Sequence, residues 1–304
     1  MKPKIIVIGS SNTDMVVKVP HIPAPGETIM GTGFMTIPGG KGANQAVAAA
    51  RAGAAVTFIA CVSDDAFGKK AVENYRNDGI DTSCIKIQRG THSGIALINV
   101  AEDGENSISV APGANSYLFT EDILGFEAAF DGAKVVLAQL EIPLETVEAA
   151  AEVAHAKGIP FILNPAPGAP ISENLLSKVT IITPNETEAA ILTSRKNFSE
   201  KDIPEMAAEI FDKGGSTVLL TLGSKGVYLK SPEFEGMIHG YKVKAVDTTA
   251  AGDVFNGALA TALAGGMDVD EAVDFAQRAA AISVTRMGAQ PSAPTLDEIM
   301  DFQT

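Results

Sequence analysis

Short apolar runs that end in turn residues alternate along this chain with longer stretches rich in alanine and periodic in their polar positions. KIIVIGS (4–10) is the first such run, and its length and abrupt end predict a buried strand. VTFIACV (56–62), KVVLAQL (134–140), PFILNPAP (160–167), VTIITPN (179–185) and TVLLTLG (217–223) read the same way. Between them, helices are predicted over 42–52 (closed by Gly53), 68–78 (stopped by Gly79) and 144–158 (ending in Gly158), and further on over 253–264 and 270–283. Strands separated by helices of this length predict a mainly parallel sheet covered on both faces, a three-layer αβα architecture of the α/β class.

Two regions break the rhythm. Residues 14–36 contain MVVKV, HIPAPGE and TIMGTGFMT, with many turn residues and no helical period. Residues 93–110 contain SGIALINV, the turn EDGEN and SISV, a hairpin pattern. Alternation in IALINV and ISV predicts antiparallel strands with one exposed face. These pieces are expected to form a small β-sheet lid over the mouth of the main sheet, formed by about 14–36 and 93–110, within a single domain over 1–304. Edge strands of the main sheet are the rival reading.

Composition narrows the classes. Of 304 residues, 46% are hydrophobic and 20% charged, which suits a packed core rather than a disordered chain. Asp and Glu number 37 against 23 Lys and Arg, a formal charge of −14, and no basic run exists. That argues against nucleic acid and leaves a nucleotide open, because backbone amides can hold phosphates without basic side chains. Two cysteines, Cys61 and Cys84, make neither a disulfide framework nor a zinc cluster. The four histidines, His21, His92, His155 and His239, have no ligand spacing. Apolar stretches stop well short of a membrane span, and the N-terminal run is only Ile5 to Ile8. A cytoplasmic protein without membrane partners is the expectation.

The segment VDTTAAGDVFNGALATALAGG (246–266) carries the most chemistry. Small residues lead into a helix expected to start near Asp253. Unpaired N–H groups at a helix N-terminus, with no bulky side chains at Ala250, Ala251 and Gly252, would form an anion hole for a phosphoryl group. Asp253 at its rim could accept a proton from an attacking hydroxyl, or merely cap the helix. The helix N-terminus should lower the pKa of its carboxyl and make it a weaker base, which phosphoryl transfer tolerates because the nucleophile loses its proton late. A second segment, PGGKGANQAVAAARAGA (38–54), offers close backbone approach at Gly39, Gly40 and Gly42 and donors at Lys41 and Asn44. It is not a Walker loop: Gly42 follows Lys41, and Met35 stands where the leading glycine should be.

Together these segments resemble the ribokinase-like carbohydrate kinase family of phosphofructokinase B type. Its C-terminal signature, D-T-x-G-A-G-D, stands here as Asp247-Thr248-Thr249-Ala250-Ala251-Gly252-Asp253, with Ala250 for the first glycine, as bacterial ribokinases commonly have. The 38–54 segment resembles the N-terminal signature. The resemblance runs from Gly9 to Ser292 with its blocks in family order. It implies that Asn12, Asp14, Gly39, Gly40, Lys41, Gly42, Asn44, Glu141 and Asp253 hold a sugar. For Asn12 and Asp14 turn chemistry is the alternative, and for Glu141 a cap of the helix after Pro143. In TPNETEA (183–189), Asn185 would contact the phosphate end of ATP and Glu188 would order Mg²⁺ through water. A capping box pairing Thr183 or Asn185 with Glu186 or Glu188 is the alternative.

By the same resemblance, Thr221, Leu222, Gly223, Ser224, Lys225 and Gly226 line the nucleotide with Gly252, and Gln277 lies near adenine. Asp247 and Ser292 side chains, with carbonyls of Thr249, Ser283, Arg286 and Gly288, would hold potassium. The implied activity is ATP-dependent phosphorylation of D-ribose at O5, giving D-ribose 5-phosphate and ADP, with Asp253 as general base and the 250–253 amides as anion hole. Kinases of the same family acting on fructose, deoxyribose or adenosine are the near alternatives; a catalytically silent sugar-binding regulator is the remote one. A homodimer through the lid is also implied.

Overall fold

The computed structural model describes residues 2–214 and 216–303. In chain order its elements are β1 (Lys4–Ile8), β2 (Asn12–Val19), β3 (Gly33–Gly39), α1 (Lys41–Arg51), β4 (Ala55–Ser63), α2 (Ala66–Asn77), β5 (Ile85–Gln88), β6 (Gly94–Ala101), β7 (Asn106–Ala111) and α3 (Thr120–Gly125). There follow β8 (Val135–Ala138), α4 (Leu144–Ala156), β9 (Phe161–Leu163), α5 (Glu173–Leu176), β10 (Ile181–Ile182), α6 (Glu186–Leu192) and α7 (Ile203–Asp212). The chain closes with β11 (Val218–Thr221), β12 (Gly226–Lys230), β13 (Glu235–His239), α8 (Ala251–Ala264), α9 (Val269–Ser283) and α10 (Leu296–Met300).

Nine strands form the main sheet in the order β13-β12-β11-β10-β9-β8-β1-β4-β5. All neighbouring pairs from β11 to β5 are parallel, and β12 and β13 add an antiparallel hairpin at one edge. Alternation along each strand divides the core in two. Ile5, Val7, Val135 and Leu137 pack with α1, α8 and α9 on one face, while Ile6, Ile8, Val136 and Ala138 pack with α4, α6 and α7 on the other. The three-layer αβα reading therefore holds. The β12–β13 hairpin and helices α6 and α7 had not been read from the sequence. Strands β9 and β10 are also shorter than their apolar runs, because the polar residues that follow, Asn164 and Asn185, turn away into loops.

The lid is a separate four-stranded sheet in the order β3-β2-β6-β7. Its residues, 12–39 and 94–111, overlap the expected segments closely, which removes the reading as edge strands of the main sheet. One expectation fails. The outer pairs β2–β3 and β6–β7 are antiparallel hairpins, but the central pair β2–β6 is parallel. Both strands leave the main sheet at the carboxyl ends of parallel strands, β2 after β1 and β6 after β5, so they run in the same direction.

Two topological facts place the site. From β1 the chain fills the sheet toward β4 and β5, and from β8 it fills it the other way, so the β1–β8 boundary is a switch point where a crevice opens beyond the carboxyl ends of the strands. Helices α1 and α8 lie over that crevice in direct contact. A Cβ at Gly257 would stand 2.6 Å from the Gln45 carbonyl and 2.8 Å from the Ala49 nitrogen, so only glycine permits this approach. The rest of the α1 face is Ala43, Ala46, Ala49 and Ala50, all buried. No helix among the described residues is long and apolar enough to cross a membrane.

Candidate active site

The first turns of α1 and α8 meet at Asp253. Its carboxylate is 6% exposed, accepting Asn44 Nδ2 on Oδ2 at 2.9 Å and Gln45 Nε2 on Oδ1 at 3.0 Å. Helix α8 begins at Ala251, two residues earlier than expected, so Asp253 is the third residue of the helix and its side chain makes no cap. Burial raises its pKa above the usual carboxylate range; Lys41, Asn44 and Gln45 oppose the rise, and Glu141 adds to it. The expected lowering by the helix terminus is thus reversed, because desolvation of a nearly enclosed carboxylate outweighs the partial charges of one helix end.

Ala250 turns the chain into the helix with φ +60°, a left-handed conformation. The amides that follow divide. Ala251 N–H donates to the Thr248 carbonyl at 3.3 Å, whereas those of Gly252 and Asp253 have no acceptor among the described residues. The Ala250 N–H has none either, so of the expected 250–253 amides only that of Ala251 is already engaged. They belong to the wall of a cavity of about 500 Å³ that also includes Lys41, Asn164, Thr183, Asn185, Glu188, Thr221, Gly223 and Asn256.

On the lid side, Asp14 lies against the 39–42 turn. A Cβ at Gly39 would stand 2.3 Å from the Asp14 carboxylate oxygens, so glycine is required for that approach. The Asp14 pKa is pushed up to about 6, by burial first and then by the charges of Glu141 and Asp253. Asn12 is held by Asn115, whose Nδ2 donates to Asn12 Oδ1 at 2.7 Å, leaving the Asn12 NH₂ group free. Glu141 does not cap α4, whose N-cap is Pro143 without a side-chain bond. Instead its Oε2 accepts Ser10 Oγ at 2.6 Å and the Lys41 N–H at 3.0 Å. The Lys41 ammonium sits among these acids. Burial alone would lower its pKa, but the charges of Asp253, Glu141 and Glu188 raise it overall, so it stays cationic.

Asn185 and Glu188 form the capping box that the sequence had allowed. Glu188 Oε2 accepts the Asn185 N–H at 2.9 Å and Asn185 Oδ1 accepts the Glu188 N–H at 2.8 Å. Neither Thr183 nor Glu186 takes part. The box is compatible with a second task, since Glu188 Oε1 takes no hydrogen bond and both residues line the cavity. Burial raises the Glu188 pKa; the Asn185 N–H and Lys41 oppose the rise, and Asp253 adds to it.

The expected nucleotide residues are only partly on this wall. Thr221 and Gly223 line the cavity, but the Leu222 side chain is in the core, and Lys225 points out to Glu200 at 2.5 Å. Ser224, Gly226 and Gln277 lie off the cavity wall. Gln277 is 6% exposed, and neither its Nε2 nor its Oε1 has a partner among the described residues. It packs beside Gly226, beyond the open end of the Thr221–Gly226 loop. An enclosed amide with both ends unsatisfied is unfavourable without a ligand to meet it.

Of the residues expected to hold potassium, three meet directly. Asp247 Oδ1 accepts the Thr249 N–H at 2.9 Å and hydroxyl at 2.6 Å, and Asp247 Oδ2 accepts the Gly288 N–H at 2.8 Å. Burial would raise the Asp247 pKa, but these bonds hold it below the usual range, so the carboxylate stays charged. The carbonyls of Thr249, Arg286 and Gly288 accept no hydrogen bond among the described residues. Ser283 and Ser292 are less available: the Ser283 carbonyl accepts Arg286 N–H at 3.0 Å and Ser292 Oγ donates to Ala289 O at 2.7 Å. The Arg286 guanidinium pairs with Glu298. No group of three or more His, Cys, Asp or Glu side chains among the described residues is placed to hold a metal ion.

Sequence reading missed Gln45, Asn115, Gln139, Asn164, Thr183 and Asn256 as part of this site, although all are buried. The available signal was polarity at positions whose apolar period demands a core residue, as at Gln45 within ANQAVAAA and Asn256 within VFNGALA.

A family model described as "pfkB family carbohydrate kinase" matches residues 2–296. The chain is 47% identical over 302 residues to a ribokinase of Haemophilus influenzae, covering 99% of both chains. It is 41% identical to a ribokinase of Schizosaccharomyces pombe, over 97% of this chain and 96% of that one. The solved structure of Arabidopsis thaliana ribokinase complexed with ribose and ATP matches with a TM-score of 0.91 at 32% identity, covering 100% of both chains.

The crowding of acids around Lys41 has a direct readout. Carboxyl ¹³C NMR should show Asp14 titrating at about 6, and Glu141→Gln, by removing a neighbouring negative charge, should move that midpoint down. A midpoint near 4, or one indifferent to the substitution, would contradict the arrangement.

Proposed function

The chain belongs to the pfkB family of carbohydrate kinases, and we propose that its cleft transfers the γ-phosphoryl group of ATP to O5 of D-ribose, giving D-ribose 5-phosphate and ADP. The observation that carries the reading is the pairing of a buried, doubly held carboxylate, Asp253, with the free N–H groups of Gly252 and Asp253 on one cavity wall.

The residues divide the work by their chemistry. Asn12, Asp14, Glu141 and the 39–44 turn offer amide donors and carboxylate acceptors suited to sugar hydroxyls, a set that discriminates against analogues lacking those hydroxyls. The primary hydroxyl faces Asp253, which takes its proton as the new O–P bond forms and the bond to the ADP oxygen breaks. Two donors already fix the carboxylate, so it need not reorganise during the reaction. The Gly252 and Asp253 amides meet the charge on the transferring oxygens, and Lys41 supplies a cation between sugar and phosphate. Asn185 stands at the phosphate end of the nucleotide. The unpaired amide of Gln277 has the donor and acceptor that an adenine edge requires.

Magnesium, when bound to the triphosphate, supplies charge neutralisation, and the free Oε1 of Glu188 fits the water shell of such an ion. Potassium, when bound, would supply fixed positive charge beside the anion hole; the charged Asp247 and the unpaired carbonyls of Thr249, Arg286 and Gly288 form a hard oxygen set that fits it. The register puts Phe34 and Leu97, both more than half exposed, on one face of the lid, and Ile108 and Val110, also more than half exposed, on the other; a second copy docking against the lid would cover one of these apolar pairs, which supports a homodimer. Two free cysteines agree with a reducing cytoplasm.

Asp253→Asn should lower kcat by about 10²- to 10⁴-fold while leaving ATP binding close to normal; turnover near the parent value would remove the base assignment. Steady-state activity should rise with added potassium and much less with sodium or lithium, and Asp247→Ala should abolish the difference. Indifference of the unsubstituted protein to the cation would remove that site.

A further inference from the structure

Behind the Asp253 carboxylate lies a closed ring of buried side chains, of which the roles above use only the Gln45 bond to Oδ1. Gln45 Nε2 donates to Asp253 Oδ1 and to Asn164 Oδ1, each at 3.0 Å. Asn164 Nδ2 donates to the Thr183 carbonyl at 3.2 Å, and Thr183 Oγ1 donates to Asn256 Oδ1 at 2.6 Å. Asn256 Nδ2 donates to the Gly252 carbonyl at 2.8 Å, which returns the ring to the first turn of α8. The Gly252 carbonyl and the Asp253 N–H are opposite sides of one planar peptide unit, so holding the first aims the second. The ring ties β9, β10, α1 and α8 to a single geometry.

Gln45 is its pivot. It is 0% exposed, and its Oε1 accepts Gln139 Nε2 at 2.6 Å. All three hydrogen-bonding positions used by its amide are thus assigned, and a flip of the amide would face Gln139 Nε2 with a donor and Asp253 and Asn164 with an acceptor. Its donation to Oδ1, with that of Asn44 to Oδ2, leaves a defined part of the carboxylate open toward the cavity.

We infer that Gln45 is a positioning residue for the phosphoryl transfer: through the ring it holds the Asp253 carboxylate in register with the Asp253 N–H of the anion hole. This rests on Asp253 being the base. Gln45 touches neither sugar nor nucleotide in this role. Besides Gln45 and Asn44, the groups acting on Asp253 are Lys41 from α1 and Glu141 from the loop after β8, with Asp14 on β2 and Glu188 on α6 in the same cluster.

The test is a double-mutant cycle on kcat with a pH profile. Gln45→Met keeps the shape and removes the donor to the carboxylate. In the parent protein it should lower kcat by about 10- to 100-fold, the range for a lost hydrogen bond to a charged group. In the Asp253→Asn background the same change should lower the residual turnover by less than about 3-fold, because the partner has been removed. The acid limb of the kcat profile should move to higher pH: loss of the donor favours the protonated carboxyl, and a base must be deprotonated to act. KM for ribose should stay close to the parent value. Equal losses in both backgrounds, or an acid limb that does not move, would overturn the inference. Should Gln45→Met fail to fold, Gln45→Glu preserves size and must move the same limb upward. If Asp253→Asn is itself fully active, the base assignment fails instead, and that result is distinct from equal losses on an impaired background.

Discussion

A carboxylate with 6% exposure remains usable as a base only if enough donors reach it, and that requirement at Asp253 organises the structure around it. The donors come from α1, so the first turns of α1 and α8 must touch. Contact needs Gly257 on one helix and a strip of alanines on the other. The helices meet over the β1–β8 boundary, where loops from opposite directions of winding supply Ser10 and Glu141 to one side and Asn164, Thr183 and Asn185 to the other. The fold is thus read outward from one solvated charge that lost its water.

The electrostatics follow from the same enclosure. Asp14, Glu141, Asp253 and Glu188 crowd around one ammonium, and burial raises the pKa of Asp14, Asp253 and Glu188. Lys41 resists its own desolvation because three of these carboxylates face it. Such a cluster holds more acceptors than its one ammonium can meet. The acidic pocket suits the hydroxyl donors of a neutral sugar, and the Gly252 and Asp253 amides offer anion-binding groups in the adjoining wall.

Much of this was legible in the sequence, for identifiable reasons. The apolar runs and alanine-rich helices fixed the layers, because burial on both faces of a parallel sheet leaves little freedom in composition. Asp253, Lys41, Asn44 and the 39–42 turn were visible because their types and spacing recur in a signature. What escaped was relational. The parallel β2–β6 pair depends on both strands leaving the carboxyl end of the main sheet, which no local pattern records. The direction of the Asp253 shift depends on burial, which a helix-end rule omits. Asn185 and Glu188 looked like a choice between cap and ligand, whereas the geometry lets one pair of residues do both. Gln45, Asn164 and Asn256 were passed over because the side chains that draw them together, Gln45 with Asp253 and Asn164, and Asn256 with Thr183, lie more than seventy residues apart.

The claim that decides the account is that this cleft phosphorylates ribose on its primary hydroxyl. The direct measurement is kcat/KM for ATP-dependent phosphorylation of ribose, 2-deoxyribose, fructose and adenosine under one set of conditions, with the ribose product located by ³¹P–¹H coupling. The account predicts that ribose has the highest value and that the phosphate sits on O5. A higher value for any of the other three, or phosphate on another oxygen of ribose, would contradict it.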